Sequence, residues 1–145
     1  MKFRRLSSTL ASVGLAIASF ASLSALTFSP QLTEISIAQD AAPDVTTTSK
    51  ANDIALAKHL RKIGAKLYTA YWCPHCHNQK QRFGKEAVKL LEVVECDRRG
   101  VNPQLQLCRD KKVRGYPTWE INGRLYPGNQ SLESLANFSK FRGNL

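Results

Sequence analysis

Cys73-Pro74-His75-Cys76-His77 sets two thiols one helical turn apart, directly after Leu67 to Tyr71, an uncharged and largely apolar run that reads as a buried strand. Pro74 suits the first position of a helix, where no amide hydrogen is needed. The chain is therefore expected to pass here from strand, through a tight turn, into helix. Cys73 then falls at the helix's amino end, where unpaired N–H groups and the helix dipole favour a thiolate over a thiol. Cys76 lies one turn further in, shielded, and placed to resolve a mixed disulfide by attacking the Cys73 sulfur. The pair is a candidate redox centre.

The same letters satisfy C-x-x-C-H, the attachment pattern of c-type haem. A haem held by His77 would usually want a second axial ligand, Met or His. Beyond the motif the sequence offers only Met1 and His59. Disulfide chemistry, which requires no metal or organic cofactor, is the preferred reading; covalent haem, a structural zinc site and an inert pair are the alternatives.

All four cysteines lie beyond residue 70. In a short exported chain that usage points to an oxidising compartment. Of the three possible pairings, the 73/76 spacing favours 73–76 with 96–108. Export itself is read from the amino terminus. Lys2, Arg4 and Arg5 precede a charge-free stretch from Leu10 to Phe28, and Ser36-Ile37-Ala38 offers small residues around a possible cut. Nineteen uncharged residues are also enough to remain as a membrane anchor. Residues 1–38 are thus expected to be a signal peptide or anchor, 39–50 a flexible linker, polar and containing Pro43, and 51–145 a single domain.

The net charge is +10, and without residues 1–38 there remain 18 basic and 10 acidic side chains. Such a balance raises the question of nucleic acid, but export and the lack of an aromatic-basic motif argue against that partner. A solvated basic surface is the plain reading, and attraction to an anionic membrane face or to acidic partners the sharper one.

Patterning supplies the remaining elements. Asn52 or Asp53 is expected to cap a helix carrying Ile54, Leu56, Ala57, Leu60 and Ile63, ended by Gly64. A strand should run from Lys66 to Tyr71. The helix from Pro74 should be interrupted at Gly84 and resume to about Leu90. Glu92 to Cys96 reads as a parallel strand, and Asn102-Pro103 as the start of a helix reaching Lys112. Asn122-Gly123 marks a hairpin between Thr118–Ile121 and Arg124–Tyr126, and Ser131 caps a last helix bearing Leu132, Leu135, Ala136 and Phe138. Cys96 and Cys108, if bridged, close a loop of 13 residues; a second exchangeable pair is the alternative role for them.

This order, with C-x-x-C opening a central helix, resembles the thioredoxin fold, a mixed α/β sheet with flanking helices. Tyr116-Pro117-Thr118 stands where that family carries a cis proline against its redox pair, which implies that Pro117 shapes a peptide site bordered by Tyr116, Thr118 and Trp72. From roughly Ile63 to Phe141 the motifs resemble more closely the thioredoxin-like domain fused to vitamin K epoxide reductase homologues of bacteria and plants. Those motifs are Tyr71 to Cys76, Cys96, Cys108, and Gly115 to Gly123.

That resemblance implies an exported, monomeric thiol–disulfide oxidoreductase in a periplasm or thylakoid lumen. It would exchange disulfides with protein substrates and pass electrons to a vitamin K epoxide reductase-like membrane partner, here a separate protein. His75 between the cysteines would stabilise the Cys73 thiolate and make the disulfide more oxidising. Reducing thioredoxins usually carry a buried acid six residues before the first cysteine, where this chain has Leu67. Both features tilt toward a dithiol oxidase, with reductase and isomerase roles open. His77 and Lys80 are expected on the surface, where they can add positive potential near Cys73.

Overall fold

The computed structural model describes residues 39–143. The expected signal peptide or anchor lies outside the described residues, and among these no helix is long and apolar enough to cross a membrane. Four helices, α1 (Ala51–Lys62), α2 (Pro74–Val88), α3 (Leu105–Asp110) and α4 (Leu132–Ser139), surround four strands, β1 (Lys66–Thr69), β2 (Glu92–Glu95), β3 (Thr118–Ile121) and β4 (Arg124–Pro127). The sheet order is β2-β1-β3-β4. Strands β1 and β2 are parallel, with Leu67 opposite Val93, while β3 runs antiparallel to both β1 and β4. This mixed sheet with flanking helices matches a thioredoxin-like fold.

Alternation along the strands sorts the core onto two faces. Leu67, Trp119 and Ile121 join Leu56 and Leu60 of α1, Phe83 and Ala87 of α2, and Leu135 of α4. Tyr68 and Val94 face the other way, against Cys108 of α3. Each large apolar side chain so covered contributes roughly 1.5–3 kcal/mol. On the second face the Tyr68 hydroxyl donates to Glu120 at 2.6 Å, and Lys111 donates to the other carboxylate oxygen at 2.5 Å. The buried tyrosine is thereby satisfied and its pKa raised, first by burial and then by that carboxylate.

Several boundaries differ from expectation for local reasons. Strand β1 ends at Thr69 rather than Tyr71 because the Ala70 carbonyl accepts the Cys73 N–H at 2.9 Å, turning the chain early. Helix α1 is capped at Lys50, not at Asn52 or Asp53. Asp53 sits inside the first turn, where its carboxylate accepts the Lys50 N–H at 2.7 Å. Helix α3 starts at Leu105, so Pro103 is not its first residue. Asn102 adopts a left-handed φ of 50°, and the Gln104 N–H is taken by the Glu95 carbonyl at 2.8 Å, which holds the segment extended. The hairpin turns at Asn122 and Gly123, both at positive φ, and the Ser131 hydroxyl caps α4 by accepting the Ser134 N–H at 3.0 Å.

The polar segment before α1, read from composition as a flexible tether, is hydrogen-bonded to α2 over its second half. The Thr46 and Thr47 N–H groups both donate to the Gln81 side-chain oxygen at 3.1 Å. The Ser49 hydroxyl accepts the Ala87 N–H at 2.8 Å, while the Ser49 N–H donates to Glu86 at 2.8 Å. Such docking needs the break at Gly84, whose φ of 82° and ψ of 166° leave helical N–H groups free for capping. A β-carbon there would lie 2.5 Å from the Ser49 nitrogen. Gly84→Ala is expected to cost about 2–3 kcal/mol, because both the backbone region and the space are reserved for glycine. A urea midpoint within error of wild type would refute this account of the kink.

Candidate active site

Strand β1 delivers the chain to a turn at 70–73, and Pro74 starts α2 immediately after it. Cys73 occupies the N-cap with extended backbone, and its sulfur does what a serine oxygen does at other helix starts: it accepts the Cys76 N–H, at 3.3 Å. The sulfur thus lies at the amino end of α2, among the unpaired N–H groups of its first turn. When protonated it reaches the Tyr116 carbonyl at 3.5 Å. Both thiols are free, and both are mostly covered, Cys73 at 5 % exposure and Cys76 at 2 %. A groove opens onto Cys73 and not onto Cys76, so an incoming sulfur meets Cys73 first.

Burial pushes the Cys76 thiol well above its ordinary 9.0, and its contact with the Cys73 sulfur adds to the rise. Lys80 and the Ala70 backbone oppose it. A thiol whose folded pKa is raised contributes stability below its unfolded value, and that contribution is lost as the pH climbs toward the folded one. The reduced protein is therefore expected to lose more stability between about pH 8 and pH 10 than Cys76→Ala does. Parallel urea curves for the two proteins across that range would contradict the burial argument. Tyr68 loses stability in the same direction but is common to both.

The Tyr116–Pro117 bond is cis, and Pro117 is fully buried. Thr118, expected at the substrate edge, is buried instead, and its hydroxyl donates to the Gly115 carbonyl at 2.8 Å. Its side chain thus ties the loop together. Tyr116 is half-buried and packs against the two cysteines. His75 is exposed on the first turn of α2. His77 is half-buried, with Nε2 3.0 Å from the Gln81 amide nitrogen and Nδ1 buried without a partner. Lys80 is close enough to Cys76 to lower its pKa.

Trp72 stands at the rim, 57 % exposed, with its ring fixed rather than free. Its indole N–H donates to Asp97 at 2.8 Å and its face meets Tyr116 edge-on. The acids that hold this turn were not identified from sequence. Glu95, at the end of β2, accepts the Tyr71 N–H at 3.2 Å and the Asp97 N–H at 2.8 Å through one oxygen. Burial raises its pKa, and those two N–H donors together with Lys80 moderate the rise. Asp97 is held below the usual carboxylate range by the Arg99 backbone and the Trp72 indole. Arg99 in turn donates to the Tyr71 hydroxyl and lies over its ring at 5.5 Å. The only hint in the sequence is that Glu95 and Asp97 flank Cys96 in an otherwise basic chain.

Cys96 is bonded to Cys108, with their Cα atoms 5.9 Å apart. The bridge ties the loop carrying Asp97 and Arg99 to α3, so the support beneath Trp72 is covalently anchored. No protein-family model matches the chain. Over 101 residues it is 44% identical to a protein of Arabidopsis thaliana named thiol-disulfide oxidoreductase LTO1, in an alignment that takes in 68% of this chain and 27% of that protein. The chain thus spans about a quarter of the length of this curated relative.

Proposed function

We propose that this chain is a thiol–disulfide oxidoreductase acting on cysteines of other polypeptides, with Cys73 as the exchanging thiol and Cys76 as the resolving one. The observation that carries the reading is the Cys73 sulfur at the amino end of α2, accepting the Cys76 N–H, in a residue that lines a surface groove. In the reducing direction the Cys73 thiolate attacks one sulfur of a substrate disulfide. A mixed disulfide forms and the other substrate sulfur leaves as thiolate. The Cys76 thiol then gives up its proton and attacks the Cys73 sulfur, releasing the second substrate thiolate. Two electrons have passed to the substrate and a Cys73–Cys76 disulfide remains. Oxidation of a substrate dithiol is the same sequence run backwards.

The in vivo direction we favour is oxidation, with electrons handed on to a vitamin K epoxide reductase-like membrane protein. The protein would work as a monomer exported to a periplasm or thylakoid lumen. Leu67 in place of a buried acid and His75 beside Cys73 support that direction, and Pro117 would shape the peptide site beside Tyr116.

The test is a titration of free thiols in glutathione redox buffers. Two thiols should appear and disappear together while Cys96 and Cys108 stay bonded. A midpoint toward the oxidising end, about −120 mV, supports the oxidase; one near −270 mV sinks that direction while leaving the exchange chemistry intact. A pair that never cycles sinks the whole reading.

A further inference from the structure

We infer that the segment before α1 is part of the substrate-binding surface: Ala41 and Pro43 form one wall of the groove at Cys73, which receives an apolar side chain next to the reacting cysteine of an extended polypeptide. This rests on the exchange chemistry proposed above and adds to it which residues select the substrate.

The groove encloses about 410 Å³, within the range of small-ligand clefts. Tyr71, Trp72, Pro74, His77 and Asn78 complete it around Cys73, so the lining is mostly aromatic and aliphatic, with the imidazole and one amide as its polar groups. It is bordered by a segment outside the sheet-and-helix core.

That wall is fixed at both ends. On one side the Asp40 N–H donates to the Arg99 carbonyl at 2.7 Å, Asp40 bridges to Gly100, and its carboxylate lies 3.8 Å from the Arg99 guanidinium. The same Arg99 holds the Tyr71 hydroxyl, so one side chain secures both walls. On the other side Thr46 and Thr47 are bound by Gln81, and the Thr47 carbonyl accepts the Lys85 N–H at 2.9 Å. Gln81 also meets His77 from the opposite wall. Residues 41–45 therefore span two anchors.

The occupant follows from the chemistry. In a mixed disulfide the substrate sulfur sits about 2 Å from the Cys73 sulfur, and the next residues of an extended chain lie only about 3.3–3.6 Å further along per residue. A neighbour of the substrate cysteine is therefore within reach of the groove that Cys73 lines. Trp72 is the most exposed large apolar side chain of the described residues, and covering it with an apolar neighbour is favourable. A glycine in the same place leaves the groove wet.

The experiment uses the full chain and two synthetic peptide disulfides that differ only in having leucine or glycine on both sides of the cysteine. Wild type is expected to exchange the leucine peptide about ten-fold faster in kcat/KM, the discrimination ordinary for an apolar pocket. Ala41→Asp combined with Pro43→Asp, two exposed positions that can change without disturbing the core, is expected to bring that ratio to about two or below. Equal rates for both peptides in wild type overturn the inference. So does a preference that survives the double substitution, or an equal loss for both peptides. Failure of wild type to exchange either peptide instead removes the chemistry on which the inference rests.

Discussion

Cys76→Ala is expected to turn the protein into a trap, and Cys73→Ser to silence it. Cys73 lines the groove and Cys76 does not, and Cys76 is 2 % exposed with its thiol pKa pushed up by burial. With Cys73 as the proposed exchanging thiol, its replacement should lower the rate on any peptide disulfide by on the order of 10³-fold or more. Removing Cys76 leaves the first step intact but deletes the intramolecular attack that ends it. Mixed disulfides then persist until an outside thiol releases them. Mass spectrometry should find a substrate covalently held through residue 73. In the native host, capture of exported polypeptides together with a quinone-linked membrane protein would support the oxidative relay. Turnover by Cys73→Ser at anything near the wild-type rate would sink the assignment of roles.

Residues whose local chemistry has one solution were readable from the chain itself. Two cysteines three apart with proline after the first leave little but a strand–turn–helix, and Asn122-Gly123 fits a two-residue turn with both residues at positive φ. Gly84 inside a helical pattern announced the interruption. What escaped depended on contacts distant in sequence. Thr46 to Ser49 look like linker because no large apolar residue is among them, yet they are held by polar bonds to Gln81, Glu86 and Ala87 some 34–38 positions away. Glu95 and Asp97 could not be separated by pattern from surface acids at a strand end. Their role appears only once β2 is laid parallel to β1, which brings their carboxylates to the Tyr71 N–H and the Trp72 indole. The bond that takes up the Thr118 hydroxyl within its own loop was equally invisible to pattern.

Replacing Cys96 and Cys108 together by alanine should produce the largest loss of stability of any change proposed. The bridge joins residues twelve apart, and closing a loop of that size removes unfolded-state freedom worth about 3 kcal/mol in the chain-entropy account. For a domain of this size that corresponds to a fall in Tm of roughly 10–20 °C. The loss has a functional direction as well. Cys96 sits between Glu95, which holds the Tyr71 N–H, and Asp97, which holds the Trp72 indole, so loosening its link to α3 loosens the floor of the turn carrying Cys73. Exchange should therefore fall modestly, by about two- to five-fold, at temperatures well below unfolding, and recover none of that loss when the redox buffer is changed. Calorimetry gives the first quantity and peptide exchange at low temperature the second. An unchanged Tm would deny the bridge its structural part. Near-complete loss of turnover in the still-folded variant would instead assign Cys96 and Cys108 to the electron path.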